Sequence, residues 1–268
     1  MNNMVRKSVK ISVIGISAAV LGLTIASGLP ASARADEVSA KQLIKAMSDY
    51  LATQTAVSFS YDSSLEIVTG DKQKLALASS GAVVLNRPDK IRVTRRGGFA
   101  DLEAVFDGKT LTLIGNNGNI YGEVNEPGSI DHLIDVLRDK YERPVPGADL
   151  LMSSLYGELM DSATDVKDLG SGVIGGVECD HLAVRKNEVD WQIWIAQGDR
   201  PYPCRYVITS KLVADGPQYS IQTRDWKTGN DVATDDFTFK NAANARKITL
   251  KDLDTDELPE IFRPRGSK

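Results

Sequence analysis

From Gly81 to Val124, short runs of alternating apolar and polar residues are separated by Arg87-Pro88-Asp89, Gly97-Gly98, Asp107-Gly108 and Asn116-Asn117-Gly118-Asn119. This pattern predicts an antiparallel meander, because Asp-Gly between apolar segments supplies the positive φ that a tight hairpin turn requires. Upstream, Val57, Phe59, Tyr61, Leu65 and Ile67 alternate with Ser58, Ser60, Asp62, Ser64 and Glu66, the period of a strand with one buried and one wet face. The returning segment carries Leu75, Leu77, Val83 and Leu85 on one parity. Its small residues, Ala76, Ala78, Ser79, Ser80, Gly81 and Ala82, are expected to leave room within the fold.

The pattern resumes in the C-terminal half. Strands are predicted near 177–186, 189–196 and 203–211, with Trp191, Ile193 and Ile195 on one parity and Tyr206 and Ile208 on a matching row. Tyr219, Ile221 and Thr223 follow, then Phe237 and Phe239 as a last strand. About ten strands in antiparallel order, without alternating helices, imply a curled sheet or incomplete barrel.

Three stretches change period from two to between three and four. Ser39 and Gln42 stand at capping-box spacing, and Leu43, Ile44, Met47 and Leu51 continue an amphipathic N-terminal helix. After Pro127-Gly128-Ser129, a helix carries Ile130, Leu133, Ile134, Leu137 and Tyr141 on one stripe. A second helix is predicted over roughly 148–160, with Leu150, Leu151, Met152, Leu155, Leu159 and Met160 leaving little polar face. Helices cannot enter a sheet ladder, so these two are expected to lie over one face of the sheet.

The N-terminus has the form of an export leader. Arg6, Lys7 and Lys10 precede the apolar run ISVIGISAAVLGLTIASGL, and Ala33-Arg34-Ala35 supplies a small-residue cleavage site before Asp36. No Cys follows the run to carry a lipid. The expected organisation is a signal peptide over 1–35, one domain over 36–251 and a loose tail over 252–268, giving a soluble periplasmic protein. Removing four cations and no anions moves the formal charge from −4 to −8. Such an acidic chain is a poor match for nucleic acid or an anionic membrane, both of which need clustered Lys and Arg.

Candidate chemistry is sparse. Cys179 and Cys204 are an even pair in an exported chain, which favours a disulfide, although Ile195 falls between them in sequence-derived strand order; two buried thiols are the alternative. His132 lies on the polar flank of a helix and His181 on a strand. His181 with Cys179 supplies two ligands of a zinc site with no visible third. The loop glycines around Gly170 and Gly175 match no phosphate-binding spacing. Arg92, Arg95 and Arg96 form a basic patch, either an edge strand protected by charge or a docking point for an acidic partner or lipid headgroup. No nucleophile and base are paired, so the chain reads as non-enzymatic, with no cofactor and no metal.

Several short motifs in order carry a resemblance. They are Asn86-Arg87-Pro88-Asp89-Lys90-Ile91-Arg92, Phe106-Asp107-Gly108-Lys109-Thr110-Leu111, the helical insert 129–160 and Asp236-Phe237-Thr238-Phe239. The chain resembles the LolA-like superfamily of periplasmic lipoprotein carriers, and more closely a family of predicted periplasmic proteins of undefined function. The resemblance implies a mainly β fold with α elements. It would be a half-open antiparallel barrel of about eleven strands, with an N-terminal helix and a two-helix lid over a hydrophobic cavity. It implies a lid-holding role for Arg87, which precedes Pro88 at a strand end. An acyl chain or other apolar ligand is the implied partner, bound by Ile130, Leu133, Ile134, Leu137, Leu151, Leu155 and Leu159. The alternative is an envelope interaction or sensing module that uses the same concave sheet for a protein, lipoprotein or lipid signal.

The leader generates the first prediction. The intact mass of the exported protein should begin at Asp36; recovery of an uncleaved, membrane-held chain would contradict the leader.

Overall fold

The computed structural model describes residues 31–98, 101–141 and 145–249. The first meander comprises β1 (Ala56–Val68), β2 (Lys74–Asn86), β3 (Lys90–Gly97), β4 (Asp101–Phe106), β5 (Thr110–Gly115) and β6 (Ile120–Asn125). The second comprises β7 (Asp165–Ile174), β8 (Val177–Arg185), β9 (Val189–Ala196), β10 (Pro203–Ser210) and β11 (Gln218–Thr228). A two-residue strand, β12 (Arg246–Lys247), closes the order β12-β6-β5-β4-β3-β2-β1-β11-β10-β9-β8-β7. All pairs are antiparallel except β12 with β6. The sheet joins its two meanders through β1 and β11 and stays open, as the sequence implied. Bulges at Ser58/Ser60, Asp168/Ser171 and Pro203/Arg205 add local twist.

Register sorts the side chains into two faces. Val57, Phe59 and Tyr61 stand opposite Leu85, Val83 and Gly81, and Leu85 and Val83 stand opposite Ile91 and Val93. The row continues through Phe106 and Leu111, and on the other side through Ile221, Tyr206, Ile193 and Leu182. These residues form one buried cluster. The helices lie on this concave face. In α1 (Ala31–Ala52), Ala40, Ile44, Met47 and Leu51 recur at helical spacing and are buried against it. The helix runs through Ser39, which is therefore not its cap.

The connection from β6 to β7 carries α2 (Ile130–Asp139), a 3-10 turn at Ala148–Leu151 and α3 (Leu155–Met160). Ser129 caps α2, its Oγ accepting from His132 N at 3.2 Å. The second predicted helix is broken into two pieces. Met152 is extended, and the Ser153 amide and hydroxyl both donate to the Asp131 carboxylate, diverting from helix formation the groups that continuity would need.

Phe237 and Phe239 also depart from expectation, lying in a non-strand strap that crosses the convex face. Arg92 fixes it with paired bonds to Asp235 (Nε to Oδ2 2.7 Å, Nη2 to Oδ1 3.1 Å) and a bond to Thr238 O, while also pairing with Glu103. Burial opposes ionisation of Asp235, but its bonds from Arg92 and the Phe237 amide hold its carboxyl below the usual range. Phe237 is buried, Phe239 packs on Tyr121 at 4.8 Å, and the strap ends in β12. The basic patch is accordingly no edge: β3 is internal, with Arg92 committed to the strap and Arg96 beside Asp101. The small residues of β2 split as well, Ser79 and Gly81 facing inward and Ala76, Ala78 and Ser80 exposed on the other face.

Cys179 and Cys204 are buried free thiols, so the expected bridge is not formed. Cys179 stands opposite Ala196, whose amide still bonds Tyr202 O at 2.9 Å, so β9 keeps its ladder between the cysteines to its last residue. The two side chains meet in one small buried cluster with Ala196 and hydrogen-bond each other, but as thiols rather than as a bridge. The leader region 1–30 and the tail 252–268 lie outside the described residues, and residues 31–35 belong to α1.

Burial raises the pKa of both thiols, with Cys204 the more affected. Labelling under denaturing, non-reducing conditions should therefore find two thiols per chain, with neither reacting readily in the folded protein. A chain with no thiol to label would show a bridge.

Candidate functional site

The concave face and the segment lying on it form the candidate site. Ile130, Leu133, Leu155 and Leu159 are buried in the same cluster as Phe59, Leu85, Phe106, Trp191 and Ile193. Ile134, Leu137 and Leu151 are partly buried and pack on its rim. The structure thus brings all seven predicted ligand-contacting residues into or against one apolar cluster that the sheet, α1 and the segment share.

What holds the segment there is unlike what holds the sheet. Ile130 N donates to Pro88 O at 2.8 Å, and Thr164 N to Arg185 O at 2.8 Å. Between them, the backbone bonds of the described residues 131–163 stay within the segment itself. Side chains make the other anchors: Tyr206 OH donates to Asp149 Oδ2 at 3.0 Å, Lys186 Nζ to Glu158 O at 2.8 Å, and Tyr156 N to Ser48 Oγ of α1 at 3.0 Å. Arg87 lies at the α2 end. Its half-buried guanidinium leaves Nε without a partner; burial pulls its pKa down, and the field of Asp131 on α2 pushes it up. The same Asp131 carboxylate accepts from Ser153, so one residue links α2, the broken second helix and the field of Arg87.

Asp149 is an unusual anchor. It is partly buried beside the buried Tyr206; desolvation raises its pKa, while Tyr206, the Leu150 amide and Lys186 oppose that rise. Such a desolvated carboxyl with few partners is costly to ionise. In the predicted helix over 148–160 Asp149 reads as part of a small polar face; the structure instead turns it, in the 3-10 turn, onto Tyr206.

Sequence reading also missed the composition of the inner face away from α2. Tyr61, Ser63, Ser79, Arg95 and Tyr219 sit at inward register positions, with Ser63 Oγ and Ser79 Oγ 2.8 Å apart. Arg95 shares the parity of Ile91 and Val93, and a cation on an apolar parity was the available signal.

Two other features do not form a site. His181 bonds Gln192 at 3.0 Å and stacks on Trp194 at 4.0 Å, and no group of metal ligands occurs among the described residues. A pocket of ≈ 170 Å³ lies under the strap, lined by Ala56, Val84, Asn86, Val232 and Phe237 among others. It is smaller than the roughly 300 Å³ at which ligand pockets usually begin.

An open antiparallel half-barrel with helices laid across its apolar concave face defines the class. Within it, the chain belongs to the family described as predicted periplasmic protein (DUF2092), which matches residues 40–251. Among solved structures it is similar to the Mycobacterium tuberculosis lipoprotein LppX, at 13% identity and TM-score 0.38, over 74% of this chain and 100% of that one. It is also similar to a chain of the Pseudomonas aeruginosa MucA/MucB complex, at 15% identity and TM-score 0.43, over 75% of this chain and 61% of that one. A putative outer membrane lipoprotein-sorting protein domain from Vibrio parahaemolyticus matches at 9% identity and TM-score 0.32, over 75% and 97%. A search of curated proteins found no match. No helix among the described residues is long and apolar enough to cross a membrane.

The Asp149 anchor yields a pH prediction. Its folded-state pKa lies above the unfolded value of about 3.9, so stability from the protonated carboxyl is full below that pH and lost as pH rises through the folded value. Asp149→Asn keeps an acceptor for Tyr206 without the titration. Thermal melts from about pH 4 to 8 should show the variant gaining on the wild type as pH rises. A constant difference would mean that Asp149 titrates alike in both states.

Proposed function

We propose that this protein binds an acyl chain or similar apolar ligand on its concave face, as a non-catalytic carrier in the periplasm, exported by the leader over residues 1–35. The observation that carries the reading is the contrast in how the concave face is covered. A long apolar surface is screened by a segment whose described residues between Ile130 and Thr164 make two backbone hydrogen bonds to the rest of the chain, one at each end, to Pro88 O and Arg185 O. Lifting it breaks no strand pairing, and it uncovers part of the apolar cluster that includes Phe59, Leu85, Phe106, Trp191 and Ile193. Each such side chain costs roughly 1.5 to 3 kcal/mol to leave in water, so an acyl chain that replaces Leu133, Leu155 and Leu159 would offset the cost of opening.

In this reading the packed arrangement is the closed state, and room for ligand arises by displacing the lid. Arg87, acting on Asp131, biases the lid toward closure. Interactions of that kind change the balance between states rather than the shape of either.

A fluorescent acyl probe titrated into the mature protein should saturate at about one site per molecule. Leu155→Glu should weaken binding by more than about tenfold, since it places a charge where the tail must lie. Arg87→Leu should change probe uptake while far-UV circular dichroism and melting stay nearly constant. No saturable binding would overturn the carrier reading and leave the interaction module. An Arg87 variant that loses fold as much as binding would make that residue structural.

A further inference from the structure

Near the far end of β1, β2 and β3 from Pro88, the concave face stops being apolar. Arg95 stands opposite Gly81 and Leu102, and Gly81 stands opposite Tyr61. A Cβ on Gly81 would lie 1.9 Å from Thr94 O and 2.6 Å from the Tyr61 ring, so the glycine lets that ring reach over β2. The Tyr61 hydroxyl then donates to Thr94 O at 2.9 Å. In the next row, Ser63 and Ser79 face each other, and Ser79 Oγ accepts from Arg95 Nε at 3.2 Å. Leu65 and Leu77 form the row beyond, with Tyr219 opposite Leu65.

The charge balance of this row is one-sided. Arg92 and Arg96, on the other parity of the same strand, each have carboxylates within ion-pair distance. Arg95 has none among the described residues. Among the described residues its hydrogen bond is made through Nε, and the four N–H groups of its two terminal nitrogens are open to another partner. A guanidinium stays charged at any physiological pH and bonds planar oxyanions in bidentate fashion. The Tyr219 hydroxyl is also suited to an anion: burial raises its pKa to about 12, so it remains a neutral donor.

We propose that Arg95, flanked by Ser63, Ser79 and Tyr219, binds the oxyanion headgroup, carboxylate or phosphate, of a single-chain amphiphile whose tail lies on the apolar part of the concave face. This deepens the acyl-binding reading and rests on it. Leu65, Leu77 and Leu102 supply apolar wall beside the cation, and Gly147, whose added Cβ would lie 3.3 Å from the Tyr219 ring, brings the lid segment to the same place. Lid and headgroup site are therefore contiguous.

The test compares cis-parinaric acid with its methyl ester on the mature protein, the two probes sharing one tail. The acid should bind at least about tenfold tighter than the ester, the range expected for a charge-assisted pair. Arg95→Gln should bring the acid down to the ester's affinity and leave the ester unchanged, with Arg95→Lys recovering part of the difference. Thermal melts establish that both variants fold. Inorganic phosphate at millimolar concentration should leave acid binding intact. Equal binding of acid and ester by the wild type would overturn the headgroup inference alone. Displacement of the acid by micromolar phosphate would overturn it in favour of a free-anion site. Saturation by neither probe would overturn the acyl reading, and this inference with it.

Discussion

The structure depends on where the chain leaves and re-enters its sheet. The first meander ends at β6 and the second begins at β7, near opposite edges of the open sheet. The connection must therefore span the sheet, and it spans the concave side, where apolar residues from most strands need cover. Hydrophobic burial sets its path, because its own backbone bonds are local. The final segment meets a similar demand on the other side, running from β11 in mid-sheet to β6 at the edge across the convex face.

The two coverings are secured by different physics. The outer strap is fastened by a guanidinium bonded to two carboxylates and a carbonyl, with about a fifth of the Arg92 side chain exposed (22%). Breaking one partner of such a cluster leaves charges poorly compensated, so the strap is expected to stay in place whenever the sheet does. The lid is held by apolar contact and a few single bonds, one of them to a carboxyl that resists ionisation. Segments of that kind open at lower free energy than the ladders beneath them. Strand β3 divides the roles by parity: Arg92 faces out and is committed, whereas Arg95 faces in and retains donors.

Much of the sheet was legible because period-two alternation and turn chemistry act locally. Strands near 177–186, 189–196 and 203–211 were placed within a residue or two, as was the start of α2 after Ser129. Long-range contacts hid the rest. The apparent helix over 148–160 broke because Ser153 bonds Asp131, a partner 22 residues away. Phe237 and Phe239 have strand parity, but their neighbours Asp235 and Thr238 bond Arg92, which pins a strap instead. The cysteines looked bridgeable, and they do meet in one buried cluster, but as free thiols. For the site, the apolar stripes were legible from helical spacing. Asp149 and the inward polar row were not, because they depend on which residues meet across β1, β2 and β3 and on the contact of the lid segment with Tyr206.

The central claim is that the lid opens as a unit over an intact sheet and that an acyl ligand exploits this opening. Amide hydrogen exchange on the mature protein, with and without saturating fatty acid, tests it most directly. The account predicts that amides of α2 and α3 exchange through an opening well below global unfolding, that ligand changes their rates, and that the ladders of β1, β2, β9 and β10 keep their protection. Exchange of lid and sheet together in one global transition, unchanged by fatty acid, would contradict it.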